Sequence, residues 1–158
     1  MRHLIGVGAT VIMDLWALFL KVSFGVSGLD ISMLGRWIGH MARGQFMHAG
    51  IANSPSIMGE RLIGWSAHYG IGIVIAAALL STWGLEWLEK PTMLPALAIA
   101  IVTLVFPYCI MQPCFGLGFA ASNLPDPNII RIKSLVAHMA YGVGLYLCGH
   151  IFYHVART

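Results

Sequence analysis

The 158-residue chain is 58% hydrophobic and only 9% charged, with a formal net charge of +3 and a mean hydropathy of +0.80. Soluble domains carry about 45 to 50% apolar and about 25% charged residues, so this composition excludes an ordinary water-soluble fold and points to one integral membrane domain over residues 1–158. The nine Lys and Arg residues are scattered, with no basic cluster interleaved with aromatics, which argues against nucleic acid as a partner and leaves the lipid bilayer as the expected one.

The first apolar run covers roughly 4 to 24. Its Arg2-His3 start resembles a cleavable signal peptide, but the run continues to Leu20, carries Asp14 in its middle and lacks a clear small-x-small cleavage site, so it reads as a first span. In the connection that follows, Asp30 or Ser32 can cap a helix over about 30–43. Ile31, Leu34, Ile38 and Met41 line one face of it, and Arg36, His40 and Arg43 project from others. It is expected as a short interfacial helix on the cytoplasmic leaflet, with a basic loop packed on the bundle as the equal alternative.

Three more runs of spanning length follow, at roughly 61 to 83, 94 to 117 and 131 to 153. Helix is the expected form of each, because barrel strands alternate at period two and Val74-Ile75-Ala76-Ala77-Ala78-Leu79-Leu80 does not. Pro91 and Pro95 open the third run, while Pro107 and Pro113 fall inside it and predict a kink or local unwinding. Cys109, Cys114 and Cys148 lie in apolar runs, form no C-x-x-C pair and read as small hydrophobes. Trp83 and Trp87 read as packing and aromatic-belt residues.

The fold class is thus all-α, a polytopic membrane bundle of four transmembrane helices. Lys21, Arg36, Arg43, Arg61, Arg131 and Lys133 fall in or beside the first and third connections, against Arg2, Lys90 and Arg157 on the other side. By the positive-inside tendency those two connections are cytoplasmic and both termini lie outside, as in a bacterial inner-membrane protein.

Self-comparison reveals an internal repeat. A shift of 70 places Asn53 on Asn123, Pro55 on Pro125, Arg61 on Arg131, Ala67 on Ala137, His68 on His138 and Gly72 on Gly142. A shift of 98 places Ile12-Met13-Asp14 on Ile110-Met111-Gln112. Two parallel two-helix repeats, about 1–90 and 91–158, would be related by a pseudo-two-fold axis along the membrane normal, the first carrying the extra helix.

An ionisable side chain at mid-membrane costs about 2.5 to 3.5 kcal/mol on insertion scales, so it normally faces the bundle interior and has a partner. Asp14 lies seven residues before Lys21, His68 seven after Arg61, and His138 seven after Arg131, while Gln112 matches Asp14 in the repeat. All four are expected within one layer about 10 Å from the cytoplasmic boundary, forming an intramembrane polar site. Thr10, Gly72, Tyr141 and Gly142 are its expected supports, and Arg61 and Arg131 its cytoplasmic anchors.

Blander readings stand beside these. His68 and His138, flanked by glycines one turn away, suit cross-helix packing as well as a ligand role. Gln112, next to Pro113, suits satisfaction of a disrupted backbone. His150 and His154, one turn apart, suit interfacial snorkelling better than a metal pair, and no metal or cofactor is predicted.

The chain resembles the domain of unknown function 2938 family of small bacterial membrane proteins. The resemblance rests on Gly8-Ala9-Thr10 with Met13-Asp14 and Trp16, Gly35-Arg36-Trp37 with Gly39-His40, Gly64-Trp65 with His68-Tyr69, Met111-Gln112-Pro113 with Gly116 and Gly118, and Ser134-Leu135 with Ala137-His138. It implies a multi-span bacterial inner-membrane protein and no particular activity.

The function favoured by the residues is binding or relay of a proton, cation or small polar solute at Asp14, His68, Gln112 and His138. An alternative is a b-type haem held by His68 and His138 as axial ligands. A third is an accessory or assembly subunit of a membrane complex, in which the polar cluster specifies helix pairing with a second copy or another subunit. No metal motif, nucleophile elbow or phosphate loop supports a hydrolase or transferase.

Overall fold

The computed structural model describes residues 2–155, Arg2 through its backbone alone; Arg157, counted above on the outer side, lies outside the described residues. The described chain is helical, without a strand, and four of its helical segments are long and apolar enough to span a membrane: His3–Phe24, Glu60–Trp83, Met93–Cys114 and Pro127–Val155. Large apolar side chains stand exposed along all four, among them Val22, Leu62, Val74, Leu94, Val102 and Ile151. Bilayer is the medium in which such surface is tolerated. The chain is an integral membrane protein.

The helices are α1 (Arg2–Phe24), α2 (Ile31–Met41), α3 (Glu60–Trp83), α4 (Met93–Val102), a short α5 (Gln112–Cys114) and α6 (Pro127–Val155). The helix expected over 30–43 is α2, and its N-cap is Asp30, whose carboxylate accepts from the Ser32 N–H at 2.9 Å. The third span is interrupted, as its prolines require. Pro107 has no N–H to offer the carbonyl four residues earlier, and α4 ends at Val102 with a turn after it. The chain resumes as a π-helix over Pro107–Met111, in which the Gln112 N–H reaches back to Pro107 O.

The chain divides into two compact units, each drawing on segments remote in sequence. Unit one comprises Met1–Ser27, Tyr69–Thr103 and Leu135–Thr158, and unit two Gly28–His68 and Leu104–Ser134.

Unit one packs around Ile5, Ala9, Ala76, Leu79, Leu80, Trp87, Ala96, Ala100, Tyr141 and Leu145. Small residues set its helix spacings. A Cβ on Gly6 would meet the Ile73 backbone of α3, and one on Gly144 would meet Ala9 of α1, so these backbones touch directly. Trp87, assigned from sequence to packing or the aromatic belt, is buried against Gly149.

Unit two packs around Leu34, Trp37, Ile51 and Phe115, with the Trp37 and Phe115 rings edge to face at 5.7 Å. The start of α3 crosses α2 at Gly35 and Gly64, where a Cβ on either glycine would strike the other helix's backbone. His40, placed by helical spacing away from the apolar face, is nevertheless buried, because residues 42–59 fold back over that side of α2. Arg36 likewise turns inward, as an ion pair with Glu60.

Candidate functional site

In unit one, α1 carries a row of Gly6, Thr10 and Asp14. Gly6 and Thr10 are buried, and the Thr10 hydroxyl donates to the Gly6 carbonyl at 2.8 Å. This bond satisfies a hydroxyl that has no water available and lays its oxygen against Gly72 of α3, where a Cβ would collide with it. One turn further, half-buried Asp14 accepts from the Tyr69 hydroxyl at 3.0 Å. The Tyr141 hydroxyl of α6, buried, donates to the Gly72 carbonyl at 2.5 Å. Gly142 lies against Ala96 and Ala100 of α4. His138, half-buried on α6, also belongs to this unit.

His68 and Gln112 belong to unit two. The His68 ring stands edge to face with Trp65 at 5.7 Å. Gln112 is 2% exposed; its Nε2 donates to Ser134 Oγ at 3.5 Å, while its Oε1 is buried without a partner. The bond thus goes to a side chain rather than to the backbone disturbed by Pro113. Of the two anchors, Arg61 is exposed, whereas Arg131 is half-buried and donates from Nε to Ala120 O at 2.9 Å and from Nη1 to Asn128 Oδ1 at 3.0 Å. Arg131 thereby holds a turn in which Ala120 and Ala121 both adopt positive φ, a strained conformation for alanine.

Tyr69 is a site residue that sequence spacing missed. It adjoins His68, so the histidine drew the attention, and nothing local in the sequence points its hydroxyl at Asp14, 55 residues earlier. Also missed is a set of polar side chains in the first connection: His40, Gln45, His48 and Ser54 bond to one another in unit two. The rings of Tyr146, His150 and His154 adjoin in sequence along α6, His150 and His154 being stacked with centroids 6.4 Å apart. Among the described residues no group of three or more His, Cys, Asp or Glu side chains is placed to hold a metal ion.

The chemistry of the Asp14–Tyr69 pair is that of a carboxylate given one phenolic donor, an arrangement in which a proton or cation can be exchanged at the carboxylate while the hydroxyl keeps it oriented. No curated protein and no solved structure matches the chain. One family model does match, over residues 3–152, and by that match the chain belongs to the family described as a protein of unknown function, DUF2938.

Proposed function

We propose that this integral membrane protein binds or relays a proton, a cation or a small polar solute, with Asp14 as the group that carries it and Tyr69 as its partner. The supporting observation is the 3.0 Å hydrogen bond from the Tyr69 hydroxyl to Asp14 Oδ2 inside two apolar spanning helices. A carboxylate kept there at an insertion cost of about 2.5 to 3.5 kcal/mol calls for a use that packing alone does not supply. In the sequence, the 70- and 98-residue correspondences pair His68 with His138 and Asp14 with Gln112. The setting is the bacterial inner membrane with both termini outside, from the bias of Lys and Arg among the connections.

Proteoliposomes test this directly. Under an imposed pH gradient, the reconstituted chain is expected to pass protons, read by an entrapped pH-sensitive dye, or to couple that gradient to uptake of a cation. Asp14→Asn abolishes the flux, and Tyr69→Phe reduces it and displaces its pH profile. An Asp14→Asn variant that melts like the parent and retains full flux removes Asp14 as the carrier.

A further inference from the structure

A second polar cluster lies in the first connection, outside the spans and independent of Asp14. His40 donates from Nε2 to the Pro55 carbonyl at 2.9 Å, and its Nδ1 faces Gln45 Oε1 at 3.1 Å. Gln45 Nε2 faces His48 Nδ1 at 3.4 Å, and the same Nδ1 meets Ser54 Oγ at 3.0 Å. Both histidines are buried, with ring centroids 5.0 Å apart. His48 Nε2 is buried without a partner. An open cavity of about 410 Å³, lined in part by Gln45, His48, Asn53 and Ser54, borders the cluster.

Donors and acceptors fix how many protons this array can hold. Carbonyl oxygens only accept, so with Gln45 Oε1 toward it His40 donates from both nitrogens as an imidazolium, while neutral His48 accepts at Nδ1. Turning the Gln45 amide over gives the neutral array, with the amide NH2 donating to His40 Nδ1 and Oε1 accepting from His48 Nδ1–H. The two arrays differ by one proton at His40, by the rotation of one amide and by the move of the His48 proton from Nδ1 to Nε2, where it has no acceptor. A second proton, at His48, sets Nδ1–H against the Gln45 NH2, beside a ring already charged.

His48 is also where the connection is fastened. Its N–H donates to Cys114 O at 2.9 Å, and the Ile51 N–H to Phe115 O at 3.0 Å. Gly116, at φ +84°, leaves no room for a Cβ against the His48 and Ala49 carbonyls, so the two segments touch backbone to backbone. We propose that residues 45–55 form a pH-operated strap, fastened to the end of the third span while His48 is neutral and released when His40 and His48 are both protonated.

Other charged and titratable groups near the array include Arg36 on α2, Arg43, whose N–H donates to the His40 carbonyl at 2.9 Å, Glu60 at the start of α3 and Cys114 beneath the strap. Arg36 Nη1 donates to the carbonyls of Ile51, Ala52 and Ser54 and so adds positive charge near the strap. The Glu60 carboxylate is taken up by Arg36 and by the Ile57 N–H, and does not compensate an imidazolium at His48. Burial first, and then the His40 ring, hold the His48 imidazole below its ordinary value. Release accordingly belongs to mildly acidic conditions, below the ordinary imidazole range near pH 6.5.

Hydrogen–deuterium exchange of the full chain in lipid nanodiscs, corrected for intrinsic rate, tests the strap. Between about pH 7.5 and about pH 5.5, exchange of the His48 and Ile51 amides is expected to accelerate about tenfold or more, while amides in the middle of α6 stay unchanged. His48→Gln, which cannot take up the proton, keeps one rate at both pH values. His40→Gln removes the neighbouring charge that penalises the protonated, fastened strap, and so moves the opening midpoint to lower pH or shrinks the transition, an effect that a packing role alone does not produce. Wild-type protection that stays constant over this range overturns the proposal, as does a His48→Gln strap that opens with acid like the parent, or a His40→Gln transition that keeps its midpoint and size or moves to higher pH. Were both variants open at pH 7.5, the wild-type profile would decide, because a strap fastened only by its backbone bonds shows no transition there.

Discussion

Arg36 grips Glu60 with two parallel bonds, Nε to Oε2 and Nη2 to Oε1, each 2.8 Å long, and its remaining Nη1 donates to the carbonyls of Ile51, Ala52 and Ser54. The two side chains are 15% and 17% exposed, which separates this pair from exposed surface bridges worth about 0 to 1 kcal/mol. Arg36→Ala leaves the Glu60 carboxylate with the Ile57 N–H in place of two guanidinium bonds, and takes the guanidinium donor from the Ile51, Ala52 and Ser54 carbonyls. A loss of about 2 to 3 kcal/mol is expected, read as a fall of several degrees in the melting temperature of the detergent-solubilised chain. Arg36→Lys keeps the charge but not the fork, and recovers only part of the loss. An Arg36→Ala chain that melts with the parent would show that the pair does not hold the first connection.

Gly35 and Gly64 form the tightest helix contact in unit two. A Cβ at Gly35 would occupy the place of the Glu60 carbonyl, and one at Gly64 that of the Ile31 carbonyl, and neither backbone atom can turn aside. Gly35→Ala and Gly64→Ala are each expected to cost about 3 kcal/mol or more by forcing α2 away from α3. Gly70→Ala, on the same helix with nothing within 4 Å of the added methyl, costs nothing measurable. Equal melting temperatures for Gly64→Ala and Gly70→Ala would contradict the contact.

Hydrophobicity made the spans legible from sequence to within a few residues, because twenty apolar positions in a row have few other physical uses. The interruption of the third span was equally legible, since the missing N–H of Pro107 acts locally. Proximity was not. Tyr69 meets Asp14 across 55 residues, and His40 is buried by a returning segment that its own helical face does not announce. Such contacts depend on where glycines such as Gly6 and Gly35 let backbones touch, which a helical wheel does not encode. The repeat assigned Asp14, His68, Gln112 and His138 to one function, but a correspondence in sequence carries no distances.

The buried His48 ring gives the fold an acid limit whose sign follows from linkage. Its folded value lies below the ordinary one, so the unfolded chain takes up a proton near pH 6.5 that the folded chain refuses. Stability from this group is complete above that pH, declines as the pH falls towards the folded value, and levels off below it. Thermal melts from about pH 8 to about pH 5 are expected to show the wild type losing stability relative to His48→Gln only in the acid half of the range. A difference between the two that is constant with pH would remove His48 from the acid limit.

Thr10 and Gly72 offer a contact that a double-mutant cycle resolves. The Thr10 hydroxyl, bonded to the Gly6 carbonyl, occupies the space into which a Cβ on Gly72 would project, whereas the next nearest atoms, Gly6 O and Thr10 Cβ, lie 3.4 and 3.5 Å from it. Gly72→Ala alone therefore drives a methyl into a hydroxyl oxygen that is 0% exposed, at a cost of about 1 to 3 kcal/mol. Thr10→Ala alone removes a satisfied hydroxyl together with its hydrogen, leaving a small void, and costs about 1 kcal/mol. Together they exchange the oxygen for the methyl. The double variant is expected to be at least about 1 kcal/mol more stable than the sum of the single losses predicts. Strict additivity in chemical or thermal unfolding would mean that α1 and α3 do not meet at this point, and the placement of Asp14 opposite Tyr69 one turn further along α1 would fall with it.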